Sequence, residues 1–179
     1  MQTWIALFRG INVGGNHILP MAELRADLEA LGLENVRTYI QSGNAVFDSQ
    51  ARSAAAVGRR IAERIQAEHG FRPQVFVLTR EDLLAAIGAN PFPQAIEDPS
   101  KLHIGFLAEP ATDADLTALE AAATASEAYE LGTSVFYLHA PEGIGRSKLA
   151  ANLEKHLGVV VTARNYRTVD KLVAIAEDR

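Results

Sequence analysis

Apolar and polar positions along this chain fall into two successive series, each opening with a short apolar run. Residues 3–9 form the first run and predict a strand. Pro20 then opens a helical pattern, with Met21, Leu24, Leu28 and Leu31 on one face and Gly32 as its stop signal. Val36 to Ile40 and Ala45 to Asp48 are strand-like runs around Gln41-Ser42-Gly43-Asn44, a glycine-containing hairpin connection. A second helix follows, with Val57, Ile61 and Ile65 four apart and Arg59, Arg60, Glu63 and Arg64 mostly off that face. Gly70 ends it, and Gln74 to Leu78 reads as another strand. Thr79 and Asp82, three residues apart, resemble a capping pair that opens a helix running to Ile87.

The series then starts again. Asn90-Pro91-Phe92-Pro93 and Asp98-Pro99 break regular structure and mark a boundary. Leu102 to Leu107 predicts a strand, and Thr112 is read as the cap of a helix carrying Leu116 and Leu119. Glu127 to Leu131 and Val135 to His139 flank Gly132-Thr133-Ser134, a second hairpin signal. Ser147 opens a helix with Leu149, Leu153 and Leu157, which Gly158 closes. Val159 to Thr162 is read as the last strand, and Val169, Leu172, Val173 and Ala176 mark the last helix. The element order repeats with little residue identity between the halves. The expectation is an α+β protein of tandem ferredoxin-like βαββαβ units, each followed by an extra helix. The halves would be residues 1–90 and 101–179, joined by a linker at 91–100. One continuous α+β sheet is the competing architecture.

In such a unit the first two strands run parallel, with the third between them in the opposite direction. The turn after strand one and the hairpin between strands two and three then open at the same end. Arg9-Gly10-Ile11-Asn12-Val13-Gly14-Gly15-Asn16 and Gln41-Ser42-Gly43-Asn44 are therefore expected to be neighbours. In the second half the same logic gathers Gly143-Ile144-Gly145-Arg146-Ser147-Lys148 with Thr162 to Thr168.

Four motifs carry a family resemblance. They are Arg9-Gly-Ile-Asn-Val-Gly-Gly, the run Thr38 to Phe47, Asn90-Pro-Phe92, and Arg164-Asn165 followed by Thr168. Across essentially the whole chain, the sequence resembles the uncharacterised bacterial family catalogued as domain of unknown function 1697. The resemblance implies the tandem fold described above, but no established activity and no catalytic residues. The chain departs from the family pattern at Asn16-His17, where a lysine is common after the double glycine, and at Tyr166, where a tryptophan is common.

Composition narrows the chemistry. The chain has no cysteine among 179 residues, which excludes a disulfide framework, a thiolate nucleophile and Cys-ligated zinc or iron–sulfur. Its 17 Lys plus Arg stand against 22 Asp plus Glu, a net charge of -5 that argues against coating duplex DNA. No apolar run is long enough to span a membrane, and the N-terminus lacks the basic start and cleavage site of a signal peptide, so a cytoplasmic location is expected. The histidines at 17, 69, 103, 139 and 156 show no metal-ligand spacing, and neither metal nor cofactor is expected.

The candidate site residues are those able to meet an anion. Arg9 offers a bidentate charge, and Asn12, Gly14 and Gly15 belong to a loop able to present backbone N–H groups. The spacing of its glycines is not that of a dinucleotide fingerprint. Gln41, Ser42 and Asn44 carry amides and a hydroxyl suited to a base or sugar edge, although a hairpin turn uses the same residues. Arg146 and Lys148 follow a glycine-containing loop, and Arg164 and Asn165 lie near the last helix, where Asn165 also suits a cap. Together they suggest a binding module for a phosphorylated ligand, a nucleotide or a short single-stranded RNA. The alternatives are an enzyme acting on a phosphorylated small molecule, with His17 or Ser42 nearest the chemistry, and a protein-interaction scaffold. No Gly-x-Ser-x-Gly elbow or nucleophile–base pair supports a hydrolase.

Overall fold

The structure, a computed structural model, describes residues 1–178. The chain divides into two compact units, Met1–Leu84 together with the stretch from Lys171 onward, and Ala85–Asp170. Each unit holds one four-stranded antiparallel sheet, and seven α-helices are formed among the described residues. The protein is thus a mixed α+β chain.

The first series of elements is β1 (Gln2–Arg9), α1 (Met21–Ala30), β2 (Glu34–Thr38), β3 (Asn44–Ser49), α2 (Ala54–His69), β4 (Gln74–Leu78) and α3 (Arg80–Gly88). Its sheet has the order β2-β3-β1-β4. β1 is central, with Trp4 opposite Phe47 on β3 and Leu7 opposite Phe76 on β4. Alternation along β1 decides which residues meet the helices. Trp4, Ala6 and Phe8 join Ala45 and Phe47 against Leu24 and Leu28 of α1 and Val57, Ile61 and Ile65 of α2. Each of the leucine, isoleucine, valine and phenylalanine side chains among them contributes about 1.5–3 kcal/mol through burial. On the other face of the sheet Ile5, Leu7 and Val46 are also fully buried. The edge strand β2 differs: its register against β3 shifts between Glu34 and Arg37, and Glu34, Asn35 and Arg37 are exposed.

Helix ends follow their capping chemistry. Thr79 and Asp82 form the reciprocal pair that opens α3: Asp82 Oδ2 accepts from Thr79 N at 2.8 Å, and Thr79 Oγ1 accepts from Asp82 N at 3.1 Å. Gly70 closes α2 in the left-handed conformation.

The second series is β5 (Leu102–Leu107), α4 (Leu116–Ala122), β6 (Ala128–Leu131), β7 (Val135–His139), α5 (Lys148–Ala151), α6 (Leu153–Leu157), β8 (Val161–Asn165) and α7 (Tyr166–Glu177). Its sheet order, β6-β7-β5-β8, repeats that of the first. Leu107, Phe136, Leu138 and Val161 pack with Leu119, Leu149, Leu153 and Leu157 of α4, α5 and α6. Tyr137, on the opposite face, donates its hydroxyl to the Ala86 carbonyl at 2.6 Å.

Local details differ from expectation at four places, the first being β2, which runs Glu34–Thr38 and leaves Ile40 outside the strand expected at Val36 to Ile40. Asp115, not Thr112, caps α4, because it lies one residue before the helix and accepts from Ala118 N at 2.9 Å. Leu116 is accordingly 61% exposed, leaving Leu119 as the buried anchor. The helix opened by Ser147 is interrupted at Asn152, whose side-chain amide donates to the Lys148 carbonyl at 2.9 Å. The final strand begins at Val161 and extends to Asn165, later than Val159 to Thr162.

Candidate functional site

The residues after β1 fold into a miniature hairpin. Val13 and Asn16 form an isolated bridge, with Asn16 N donating to the Val13 carbonyl at 3.1 Å, and Asn12 N donates to the His17 carbonyl at 3.1 Å. Gly14 and Gly15 occupy the two turn positions at φ 60 and φ 76, the backbone that a two-residue type I′ connection requires. Both lie in the open, with nothing within 4 Å of an added Cβ.

This hairpin is tied to the connection between β2 and β3. The Asn12 amide Nδ2 donates to the Leu19 carbonyl at 2.8 Å and to the Gln41 carbonyl at 2.9 Å, while its Oδ1 accepts from Leu19 N at 2.8 Å. Phe8 N donates to the Gly43 carbonyl at 2.9 Å. The two polar runs are therefore neighbours, as the strand directions require. Asn44 is fully buried and supports the turn from beneath, donating through Nδ2 to the Tyr39 carbonyl at 3.0 Å and to Ser42 Oγ at 3.2 Å. Asn12 and Asn44, both candidate ligand groups on sequence, thus use their amides to hold the loops together.

Backbone strain concentrates in the same place. Among the described residues four non-glycine residues have positive φ, and Asn12, His17 and Ile40 of these lie in the two joined loops. A β-branched residue at φ 49, as Ile40 is, is a genuine outlier. Around this framework Arg9, Asn16, Gln41 and Ser42 are exposed. His17 is exposed too: its Nδ1–H donates to the Gly10 carbonyl at 3.1 Å, and its ring stacks on Phe71 at 4.6 Å with an 11° tilt.

Behind Phe71 lies an ionic cluster that the sequence reading missed. Asp27 on α1 is buried and receives Arg64 Nε at 3.0 Å and His69 Nε2 at 2.6 Å, both from α2. A signal was present, because Asp27 interrupts the apolar stripe of Leu24, Leu28 and Leu31. Its partners could not be read, since pairing depends on which faces of α1 and α2 meet. Beside β2, Glu29, Asn35, Val36, Arg37 and Asp48 line a pocket that contains none of the candidate residues. Among the described residues no group of three His, Asp or Glu side chains is placed to hold a metal.

In the second sheet β7 and β8 both run antiparallel to β5, so their C-terminal ends share one end. Arg146 and Lys148 are exposed there, while Ser147 is buried and caps α5 by accepting from Ala150 N at 3.0 Å. Lys101, not singled out on sequence, reaches this loop: its Nζ lies 3.7 Å from where a Gly143 Cβ would stand. Arg164 donates through Nη1 to Thr162 Oγ1 at 3.0 Å and to the Ala163 carbonyl at 2.9 Å. Desolvation pushes its guanidinium down to about 10, although the residue as a whole is only half-buried. Asn165 caps α7, accepting from Thr168 N at 2.9 Å. His103 is 8% exposed with Nε2 unpartnered, and burial pushes its imidazole down to about 4.

Comparison with known proteins agrees with this architecture without naming a reaction. The conserved bacterial protein SP0830 from Streptococcus pneumoniae is similar to the chain at 27% identity, covering 97% of this chain and 98% of that one with a TM-score of 0.74. No functionally curated protein matches. Residues 1–137, which include the glycine hairpin, the loop from Tyr39 to Asn44 and Asn90-Pro91-Phe92, match the family model described as protein of unknown function (DUF1697), and the chain belongs to that family.

Proposed function

We propose that this protein is a binding module for a small phosphorylated ligand, whose anionic group lies over the glycine hairpin beside Arg9. The observation that carries the reading is the convergence of positive-φ residues Gly10, Asn12, Gly14, Gly15, His17, Ile40 and Gly43 in two loops pinned to each other by Asn12. Strained backbone of this kind costs on the order of 1–3 kcal/mol per non-glycine residue and persists where a shaped site needs it. Exposed Arg9 supplies charge, the Gly14-Gly15 turn supplies accessible backbone, and Gln41, Ser42 and Asn16 supply hydrogen-bonding edges. In the other unit exposed Arg146 and Lys148 are the candidates for a second anion, while Arg164 lies on the opposite sheet face, tied to Thr162 and Ala163.

The tandem ferredoxin-like architecture is part of the same proposal. Both sheets have the strand order expected of a βαββαβ ferredoxin-like unit, and α3 and α7 follow as the extra helices. Such sheets can bind RNA by stacking bases on exposed aromatics. On the sheet faces turned away from the main helix cores, Phe76 and Tyr137 are buried, which favours a small ligand at the loops over RNA spread across a sheet.

Thermal unfolding against inorganic phosphate, pyrophosphate, nucleoside mono- and triphosphates and short RNAs tests this reading, on the parent and on Arg9→Ala. A ligand at a hundred times its Kd raises the midpoint by roughly 5–10 °C for a chain of this size. The rise is expected with a phosphorylated ligand and is lost in a still-folded Arg9→Ala. No shift with any ligand would overturn the proposal and favour a scaffold.

A further inference from the structure

We infer that the imidazole of His17, laid on the Phe71 ring and held at its edge by Gly10, is a stacking platform for a nucleobase. The inference rests on the phosphorylated-ligand reading and narrows it to nucleotides.

Three features of His17 are hard to explain as loop packing. Its ring is nearly parallel to Phe71, with centroids 4.6 Å apart and an 11° tilt. A carbonyl oxygen only accepts, so the 3.1 Å bond to Gly10 makes Nδ1 the donor and fixes the ring's rotation. The residue also sits at φ 48, a conformation that costs energy for any residue but glycine. Phe71 beneath it packs against the first unit's core, so the pair has a firm base. One imidazole face is covered by Phe71 and one edge is bound to Gly10, yet the residue is exposed. What the ring keeps for a ligand is its second face and the Nε2 edge.

A flat aromatic face held in place beside the Gly14-Gly15 turn and Arg9 matches a ligand with two parts, a π-surface and an anionic group. Base–aromatic stacking tolerates any base, so affinity would come from the stack and any preference from Asn16, Gln41 or Ser42. An apolar ligand would gain nothing from the arginine, and a bare phosphate nothing from the stacked ring.

NMR titration with adenosine 5′-monophosphate and, separately, with inorganic phosphate tests this on the parent, His17→Asn and Phe71→Leu. Asparagine tolerates the left-handed backbone at position 17 and removes the ring. The expected result is an upfield ring-current shift of the His17 ring protons with the nucleotide alone. Nucleotide affinity should fall about tenfold or more in each folded variant, a typical effect of losing one stacking partner. Phosphate affinity should not change. Equal effects of His17→Asn on nucleotide and phosphate would make His17 an anion contact and overturn the stack. Unchanged nucleotide affinity in both variants would overturn it too, while leaving the anion site standing. Binding of neither probe would overturn the stack, and the wider ligand panel then decides the anion site. Should one variant fail to fold, the ring-current shift in the parent still decides: its absence under saturating nucleotide overturns the stack.

Discussion

The side-chain amide of Asn12 donates to the main-chain carbonyl of Gln41 at 2.9 Å, joining two loops whose residues are 29 positions apart. The same side chain also holds Leu19 through both its carbonyl and its N–H. One residue thus sets the spacing between hairpin and turn, and Arg9, Asn16, Gln41 and Ser42 are displayed around it.

Asn12→Ala is expected to destabilise the protein by about 3 kcal/mol, from three lost hydrogen bonds and an alanine forced to positive φ. Asn12→Gly loses the same bonds but relieves the backbone, so about 2 kcal/mol is expected. Urea unfolding of both variants measures the difference. An alanine variant as stable as the parent would remove Asn12 from its place as the clamp.

Glycines of one conformational class should respond differently to a methyl group. At Gly43 an added Cβ would stand 2.7 Å from Ile11 Cδ1 and 2.8 Å from Phe8 Cβ, at φ 79. At Gly14 it would meet nothing within 4 Å. Gly43→Ala should cost about 3 kcal/mol, from overpacking and left-handed strain together. Gly14→Ala should cost about 1 kcal/mol, from strain alone. Equal losses in denaturation midpoint would contradict the close approach at Gly43.

His103 ties stability to acidity. Its imidazole ordinarily titrates near 6.5, but burial pushes it down to about 4 in the folded chain. Between those values the unfolded state binds a proton that the folded state refuses, so stability is full above 6.5 and falls as pH drops toward 4. From about pH 7.5 to about pH 5 the loss from this group is on the order of 2 kcal/mol. His103→Leu removes the group and its unpartnered Nε2 together. The variant should lose less stability than the parent over that interval, and identical pH profiles would refute the assignment.

The Asp27 cluster joins α1 to α2. Asp27→Ala strips Arg64 and His69 of a buried carboxylate at 3.0 and 2.6 Å. About 2–3 kcal/mol should be lost, toward or below the lower end for a buried pair because Arg64 keeps some access to water. A double-mutant cycle with Arg64→Ala should show coupling of about 1 kcal/mol, and strict additivity would mean that the pair contributes nothing.

Elements governed by local periodicity were readable in the sequence. Gln74–Leu78 and Leu102–Leu107 form strands with the expected bounds, and Val169, Leu172, Val173 and Ala176 are the buried face of α7. Errors arose where a side chain competed with the main chain, as Asn152 does, or where two caps were available, as with Thr112 and Asp115. The neighbourhood of the two polar loops followed from strand direction. Their inner construction did not, because an Asn in a loop reads alike whether it meets a ligand or clamps the chain. Phe71 gave no signal at all, since stacking on His17 depends on where the chain goes after Gly70.

The irregular β2 strand bears on how the protein behaves when crowded. An exposed sheet edge is a template on which another chain can add a strand, the first step toward aggregation. At β2 the shifted register breaks the row of outward amides and carbonyls, and Glu34 and Arg37 place charge along it. That margin is a poor template for a growing fibre.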